Sequence, residues 1–182
     1  MTSSPGREAL LRATISVVAD SGLRALTYRE VAARAGVSHG LVRHHFGSRD
    51  QLIAAALEFA IAESLRETSM DDGPADAAEF AAGIESLAAR STDAQAFQYE
   101  LLLESRRRPE LHEHVERYYQ MYREANRRRL TELGVDDEEL IDAIWFALDG
   151  LVLKQLTLGG GEDIDRVLAR IRRLITEASH PA

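Results

Sequence analysis

The sequence predicts an all-α fold of about nine helices, with three short helices at the N-terminus followed by a larger helical body. Apolar residues recur every three or four positions along most of the chain, which is the periodicity of amphipathic helices. No segment alternates apolar and polar residues for long enough to indicate a sheet. The four prolines all stand where a helix start or a linker is expected.

Local start and stop signals define the first two helices. A helix over residues 7–21 ends at Ser21 and Gly22, a pair typical of a C-terminal stop. Thr27 and Glu30 then form a capping-box pattern. They start a short helix that runs to about residue 35.

The next two helices follow after a turn at Gly36. Ser38 is in position to cap a helix over about 39–45. Ser48 and Gln51 form a second box, which opens a long helix that continues through about Leu65.

Five further helices are predicted in the rest of the chain. They cover about residues 76–90, 94–106, 109–133, 137–157 and 163–178. A linker at 70–74 precedes them, and Asp136 with Glu139 is expected to cap the fourth of them. The glycines at 159–161 indicate a turn before the last.

Composition excludes several classes of protein. The 182 residues contain no cysteine, which excludes disulfides, thiolate catalysis and cysteine-ligated zinc. No apolar run approaches the ~20 residues of a membrane span. The first residues lack the basic-then-apolar order of a secretory signal. The sequence therefore predicts a soluble cytoplasmic protein with no membrane partner.

Motifs for catalysis and for metal binding are missing as well. The chain has no nucleophile elbow, phosphate-binding loop or dinucleotide fingerprint, so we expect neither an enzyme nor a cofactor. The histidines at 39, 44 and 45 and at 112 and 114 lack the i, i+4 spacing that places two ligands on one helix face. No metal site is predicted.

Charge is distributed unevenly along the chain. Residues 1–50 carry seven arginines and four acidic side chains, net +3, although the whole chain has 22 basic and 30 acidic side chains, net −8. The remaining residues therefore hold 15 basic and 26 acidic side chains, net −11. A cationic segment on an acidic body suggests that this segment binds a polyanion.

Residues 27–46 have the pattern of a helix-turn-helix, two short helices joined by a turn containing glycine. Val31, Ala32 and Val42 are spaced to face a shared core. On the outer side of the second helix the same spacing leaves five residues that could contact DNA bases. These are His39, Gly40, Leu41, Arg43 and His44. In such a motif the second helix enters the major groove of DNA.

The segment 27–52, TYREVAARAGVSHGLVRHHFGSRDQL, resembles the DNA-binding domain of TetR-family transcriptional regulators. The resemblance is specific over about residues 7–60. It is weaker in LESRRRPEL at 103–111 and ALDGL at 147–151. It implies a homodimer with a DNA-binding domain at 1–48. It also implies that the remaining domain, 49–182, dimerises and binds a small effector that releases a repressor from its operator.

The resemblance also implies individual DNA contacts. Thr27 matches a phosphate-contacting position, and Arg49 matches a phosphate-holding lysine. Arg43 replaces the usual tyrosine and can read guanine, while Leu41 replaces a threonine and can contact a thymine methyl. The full predicted set is Thr27, Tyr28, Ser38, His39, Gly40, Leu41, Arg43, His44 and Arg49.

Aromatic residues concentrate in the body and suggest an effector pocket, because buried phenols and indoles need polar partners. The candidate lining is Phe97, Glu100, Leu101, Tyr118, Tyr122, Trp145 and Asp149. These residues can equally form helical core, and the two acids can equally pair with arginine. A mainly apolar or aromatic effector of unknown identity is expected.

The last two helices are apolar enough to form a four-helix dimer interface. The predicted interface residues are Leu148, Leu151, Val152, Leu156, Leu168, Ile171 and Ile175. With a two-fold axis, the partner is a near-palindromic double-stranded operator. Two alternatives remain open. One is a dimeric DNA-binding protein without an effector, and the other is a helical protein-interaction module.

Overall fold

The computed structural model describes residues 5–70 and 76–179, and within these ranges the chain forms helices and no β-strand. This confirms the all-α prediction. The helices are α1 (Pro5–Ser21), α2 (Tyr28–Ala35), α3 (His39–Phe46), α4 (Arg49–Glu67), α5 (Leu87–Arg90), α6 (Thr92–Ser105), α7 (His112–Glu132), α8 (Glu138–Leu158) and α9 (Glu162–Ser179). Short 3₁₀ turns lie at Leu23–Ala25, Ala77–Glu79, Ile84–Ser86 and Pro109–Leu111.

The chain divides into two compact units. The first comprises the described residues up to Ala62 together with Asp93–Tyr118, and the second comprises Glu63–Thr92 and the described residues from Tyr119 onward. The two units are groups of residues that pack together. The predicted boundary between residues 48 and 49 instead separates the DNA-binding domain from the domain expected to bind the effector and to dimerise. That boundary stays a prediction.

Helices α1 to α3 form a three-helix bundle in the first unit. Val31 and Val42 are fully buried, and Phe46 is almost so. On the outside, the Arg34 guanidinium on α2 donates to Ser16 Oγ and Asp20 Oδ2 of α1. The Arg7 guanidinium lies 5.2 Å from the centroid of the Phe46 ring. These contacts fix the orientation of α2 and α3 on α1.

The predicted capping signals are present at two of the three sites. The Glu30 amide donates to Thr27 Oγ1 at 3.1 Å. Ser48 and Gln51 exchange two bonds, each 3.2 Å long. Ser38 is the N-cap of α3, but its side chain makes no capping hydrogen bond. The predicted N-cap position is confirmed, but the hydrogen bond expected from the Ser38 side chain is not formed, and the residue is exposed.

The predicted helix over 76–90 was wrong. The chain forms two 3₁₀ turns and the one-turn helix α5 there, because Ala81 has a φ of 54°, which interrupts a right-handed helix. The Phe80 carbonyl accepts a hydrogen bond from Arg172 Nε of α9 instead of one within a helix. Except for Met70, the predicted linker at 70–74 lies outside the described residues.

The other body helices match the predictions closely. Asp137, however, caps α8 in place of the predicted Asp136, and its Oδ1 accepts from the amides of Glu139 and Leu140. Two adjacent aspartates carry the same capping propensity, so the sequence does not distinguish them.

Asp137→Ala is expected to lower the free energy of unfolding by about 1 kcal/mol, because two amides of the first turn lose their acceptor. Asp136→Ala is the matched control and should change stability much less. Urea denaturation followed by circular dichroism measures both. Equal losses in the two variants would contradict the assignment of the cap to Asp137.

Candidate nucleic-acid interface

Helix α3 is amphipathic, with its apolar side in the bundle and its polar side in solvent. Val42 is fully buried and Phe46 is 5% exposed. The opposite side presents most of the predicted DNA-contacting residues. Ser38, His39, Gly40, Arg43 and His44 are exposed, and Leu41 is partly exposed. A short helix with one free face is the geometry needed for insertion into a groove.

The turn between α2 and α3 is closed by Gly36, which adopts the left-handed conformation with a φ of 68°. Its amide and that of Val37 donate to carbonyls of the last turn of α2, the Val37 bond to Ala32 O being 2.9 Å long. A glycine adopts this conformation without steric cost. The two helices are therefore joined by the tight turn that a helix-turn-helix needs.

The exposed side of the motif carries uncompensated positive charge. Arg29 on α2 and Arg43 on α3 are exposed, and neither forms an ion pair with any part of the chain that the structure describes. The amides in the first turn of α3 lack the Ser38 side chain as a partner. Free guanidinium groups and helix N-terminal amides are the groups that bind phosphate.

Three of the predicted DNA contacts have hydrogen-bond partners within the protein, and one of them is Thr27, whose Oγ1 caps α2. Tyr28 donates its hydroxyl to the Gly47 carbonyl at 3.0 Å, which ties the start of α2 to the end of α3. Arg49 donates to the carbonyls of Leu23 and Leu26. Partial burial is the main cause that lowers the pKa of the Arg49 guanidinium, and nearby Arg108 lowers it further. Tyr28 and Arg49 therefore help to hold the motif in place.

Three of the predicted effector residues lie in one cluster of the second unit. Tyr122 stacks on Trp145, with 5.8 Å between ring centroids. Tyr119, which the prediction omitted, packs edge-on against Trp145 and donates its hydroxyl to Asp149 Oδ2 at 3.2 Å. Burial first, and the Asp149 carboxylate second, raise the pKa of Tyr119 to about 12.

The other four predicted effector residues belong to the first unit. Phe97, Leu101 and Tyr118 are buried there. Glu100 accepts a hydrogen bond from the Leu23 amide at 3.3 Å. Glu100, which was predicted to line the effector pocket, thus contacts the turn between α1 and α2.

A pocket of about 310 Å³ lies in the second unit. Its lining includes none of the seven predicted effector residues. It consists of Glu85, Ser86, Ala88, Ala89, Thr92, Gln155, Leu156, Gly159 and Gly160. The Gln155 side chain donates to Ile84 O and accepts from the Ala88 amide. Gln155 lies on the same side of α8 as the apolar residues Leu148 and Val152, and this polar residue in an apolar stripe was the sequence signal that could have indicated the pocket.

Most of the predicted dimer residues are buried inside the protomer. Leu148, Val152, Leu168, Ile171 and Ile175 are between 0% and 6% exposed. Leu151 is partly exposed, and Leu156 lines the pocket. The two helices instead expose other apolar side chains. These are Phe146 (65% exposed), Leu153 (43%), Leu158 (80%) and Val167 (40%).

A helix-turn-helix with a free cationic face, followed by a helical body, defines a DNA-binding regulator. Two family models match the chain, "Bacterial regulatory proteins, tetR family" over residues 10–56 and "Tetracyclin repressor-like, C-terminal domain" over residues 73–177. Together they cover most of the chain. The chain belongs to the TetR family of transcriptional regulators, which are DNA-binding proteins and not enzymes.

Individual relatives agree with this assignment. The HTH-type transcriptional repressor Rv3405c of Mycobacterium tuberculosis is 40% identical over 78 residues, which are 41% of this chain and 41% of that protein. The match thus spans about two fifths of the relative's length. A transcriptional regulator from Rhodococcus sp. RHA1 shares the fold with a TM-score of 0.73 and 25% identity, covering 97% of this chain and 99% of the other.

The multidrug binding protein EbrR also shares the fold. Its complex with imidazole has a TM-score of 0.68 and 25% identity, covering 99% of this chain and 98% of EbrR. Its complex with proflavin has a TM-score of 0.61 and 27% identity, covering 93% and 99%.

Two further findings concern only the residues that the structure describes. None of their helices is long and apolar enough to span a membrane. They also contain no cluster of three or more histidine, aspartate and glutamate side chains placed to hold a metal ion.

Proposed function

We propose that this protein is a ligand-responsive repressor that acts in the cytoplasm. As a homodimer it binds a near-palindromic operator through residues 1–48, and a small, mainly apolar or aromatic effector bound by residues 49–182 releases it. The exposed, uncompensated face of α3 is the observation that carries the proposal. Arg43 lies on the free side of α3 and forms no ion pair with the described residues, so its guanidinium is available to DNA.

The predicted DNA-contacting residues divide into three groups. Ser38, His39, Gly40, Leu41, Arg43 and His44 face the bases, since they lie on the free side of α3. Thr27 lies at the start of α2, where it can contact phosphate. Tyr28 and Arg49 act mainly by holding the motif in place, because their polar groups already bind backbone carbonyls.

The proposed dimer forms through the exposed side of α8 and α9. Phe146, Gly150 and Leu153 follow one another at spacings of four and three residues, so they lie on one side of α8. A Cβ added at Gly150 would meet no atom within 4 Å, so the space around this position is open. An exposed apolar stripe of this kind is typical of a protein interface. A two-fold dimer that binds successive major grooves needs its recognition helices about 34–36 Å apart.

Two places are candidates for the effector. One is the cluster of Tyr119, Tyr122, Trp145 and Asp149, which combines ring faces with a carboxylate. The other is the 310 Å³ pocket beside Gln155, whose volume is at the lower end for small-molecule sites. The aromatic and heteroaromatic ligands of EbrR, proflavin and imidazole, support an aromatic effector.

One observation favours the alternative of a dimeric DNA-binding protein without an effector. Tyr122 and Trp145 stack on each other, and Trp145 is only 7% exposed, so these rings already fill a core. In that case the body would serve dimerisation alone.

The proposal is tested by selecting duplexes from a random pool with the full-length protein and measuring their affinity at increasing salt. We expect a near-palindromic operator and a loss of roughly 10³-fold or more between 50 and 200 mM salt, because phosphate contacts release counterions. A flat response to salt would indicate a protein-interaction module. Imidazole, which does not intercalate into duplex DNA, should lower the operator affinity, and DNA should lower the imidazole affinity by the same factor. No mutual dependence would favour the alternative without an effector.

A further inference from the structure

The turn between α1 and α2 determines where the helix-turn-helix begins. It comprises Gly22, the 3₁₀ turn Leu23–Ala25 and Leu26, and α2 starts two residues later. Leu23 and Leu26 are buried, so their backbone polar groups need partners inside the protein. Any shift of this turn moves α2 and, through the tight turn at Gly36, also α3.

Two charged side chains from distant parts of the chain hold this turn. Arg49, at the start of α4, donates from Nη2 to Leu23 O at 2.7 Å and from Nε to Leu26 O at 3.2 Å. Glu100, on α6, accepts from the Leu23 amide at 3.3 Å through Oε1. The Leu23 peptide unit is thus held on its donor side by a carboxylate and on its acceptor side by a guanidinium.

The backbone is shaped to let the Glu100 carboxylate approach. Gly22 has a φ of 73°, and a Cβ built there would lie 3.1 Å from Glu100 Oε1. Of the two side chains that hold the turn, Arg49 belongs to the segment 1–62, whereas Glu100 comes from the later segment Asp93–Tyr118 of the same compact unit. The hydrogen bond between Glu100 and the Leu23 amide therefore links α6 to the turn that leads into the DNA-binding motif.

We propose that Glu100 is a positioning residue for operator binding. Its carboxylate, through the Leu23 amide, makes the position of α2 and α3 depend on the position of α6. The proposal rests on DNA binding by α3 and assigns Glu100 a role other than the effector anchor expected from the sequence. An effector that displaces α6 would act on the recognition helix through this hydrogen bond.

A positioning role affects operator binding more than general DNA affinity. A specific site requires both recognition helices to sit in successive grooves with correct orientation. Random-sequence duplex is bound through phosphate contacts, which tolerate changes of orientation. Substitution of a residue that only stabilised the fold would instead change the melting temperature. It would leave the ratio of operator affinity to random-duplex affinity unchanged.

The experiment compares Glu100→Asp, Glu100→Met and Glu100→Gln in the full-length protein. Aspartate keeps the charge but is one methylene too short to reach the amide, methionine keeps the length but lacks an acceptor, and glutamine keeps both length and an acceptor oxygen. Glu116 is an exposed acid on α7 in the same unit, so Glu116→Asp, Glu116→Met and Glu116→Gln are the matched controls.

We expect Glu100→Asp and Glu100→Met to lower the affinity for the selected operator by about 10-fold, since both heads of a dimer lose a charge-assisted bond. Affinity for random-sequence duplex should change less than about 3-fold. Glu100→Gln should restore most of the operator affinity, and the Glu116 variants should resemble wild type. Hydrogen exchange at the Leu23 amide should accelerate in the aspartate and methionine variants only.

Equal losses on operator and random duplex, or wild-type operator affinity in Glu100→Asp, would overturn the proposal. If methionine at this position prevents folding, the aspartate and glutamine variants still decide the question. Failure of the proposed function gives a different result, because the wild-type protein would then select no operator while exchange at Leu23 still depended on Glu100.

Discussion

Replacing Phe146 and Leu153 by aspartate is expected to convert the protein from a dimer into 20.2 kDa monomers. Both side chains lie on the exposed side of α8, 65% and 43% exposed in the single chain. In a two-fold interface each substitution occurs twice, so four carboxylates would be buried without partners. Burying one unpaired charge costs several kcal/mol, so four buried carboxylates are expected to cost more free energy than dimerisation releases.

Operator affinity should fall by at least about 100-fold in the same variant. A monomer has one DNA-binding domain and binds one half-site, so it loses the high effective concentration that a dimer provides for binding the second half-site. Sedimentation velocity measures the mass, and fluorescence anisotropy measures the affinity. Leu103→Asp is the control, since Leu103 is also exposed (54%) but lies on α6. A double variant that stays dimeric would place the interface elsewhere.

The helix-turn-helix could be predicted from the sequence because its determinants are local. Thr27 caps an amide three residues away, and Gly36 closes a turn onto Ala32 and Ala33. The buried pattern of Val31 and Val42 follows from helical periodicity alone. None of these features depends on a distant part of the chain.

The exposed apolar side of α8 could not be predicted in the same way. Periodicity shows which residues of α8 share a side, but α8 has apolar residues on two sides. One side, including Leu148 and Val152, is buried within the protomer, and the other, including Phe146 and Leu153, is exposed. Only the packed structure shows which apolar side is already covered.

The contacts of polar residues could not be predicted where their partners are distant in sequence. Glu100 contacts an amide 77 positions away, and Arg172 bonds to the Phe80 carbonyl 92 positions away. The Phe80 contact stabilises an irregular segment in which the alanine-rich sequence favours helix. Residue propensity therefore predicted a helix where tertiary contacts produce turns.

Arg43→Ala is expected to weaken operator binding by about 1–3 kcal/mol and to relax specificity at one base pair of each half-site. The Arg43 guanidinium is exposed on α3 and has no ion pair with the described residues, so its loss should leave the fold intact. Affinities for the selected operator and for each of its single-base variants provide the test. Arg29→Ala on α2 is the comparison, since that arginine is also exposed but lies on the first helix of the motif.

Base reading and phosphate binding by Arg43 predict different patterns of loss. An arginine that reads guanine bonds to O6 and N7, so replacing the contacted guanine by 7-deazaguanine should weaken wild-type binding but leave Arg43→Ala unaffected. A phosphate contact would instead weaken binding equally on all sequences and reduce the salt slope by about 1, as we expect for Arg29→Ala. Uniform loss in Arg43→Ala would therefore make Arg43 a phosphate clamp, and sequence reading would then depend on the other exposed residues of α3, among them Leu41.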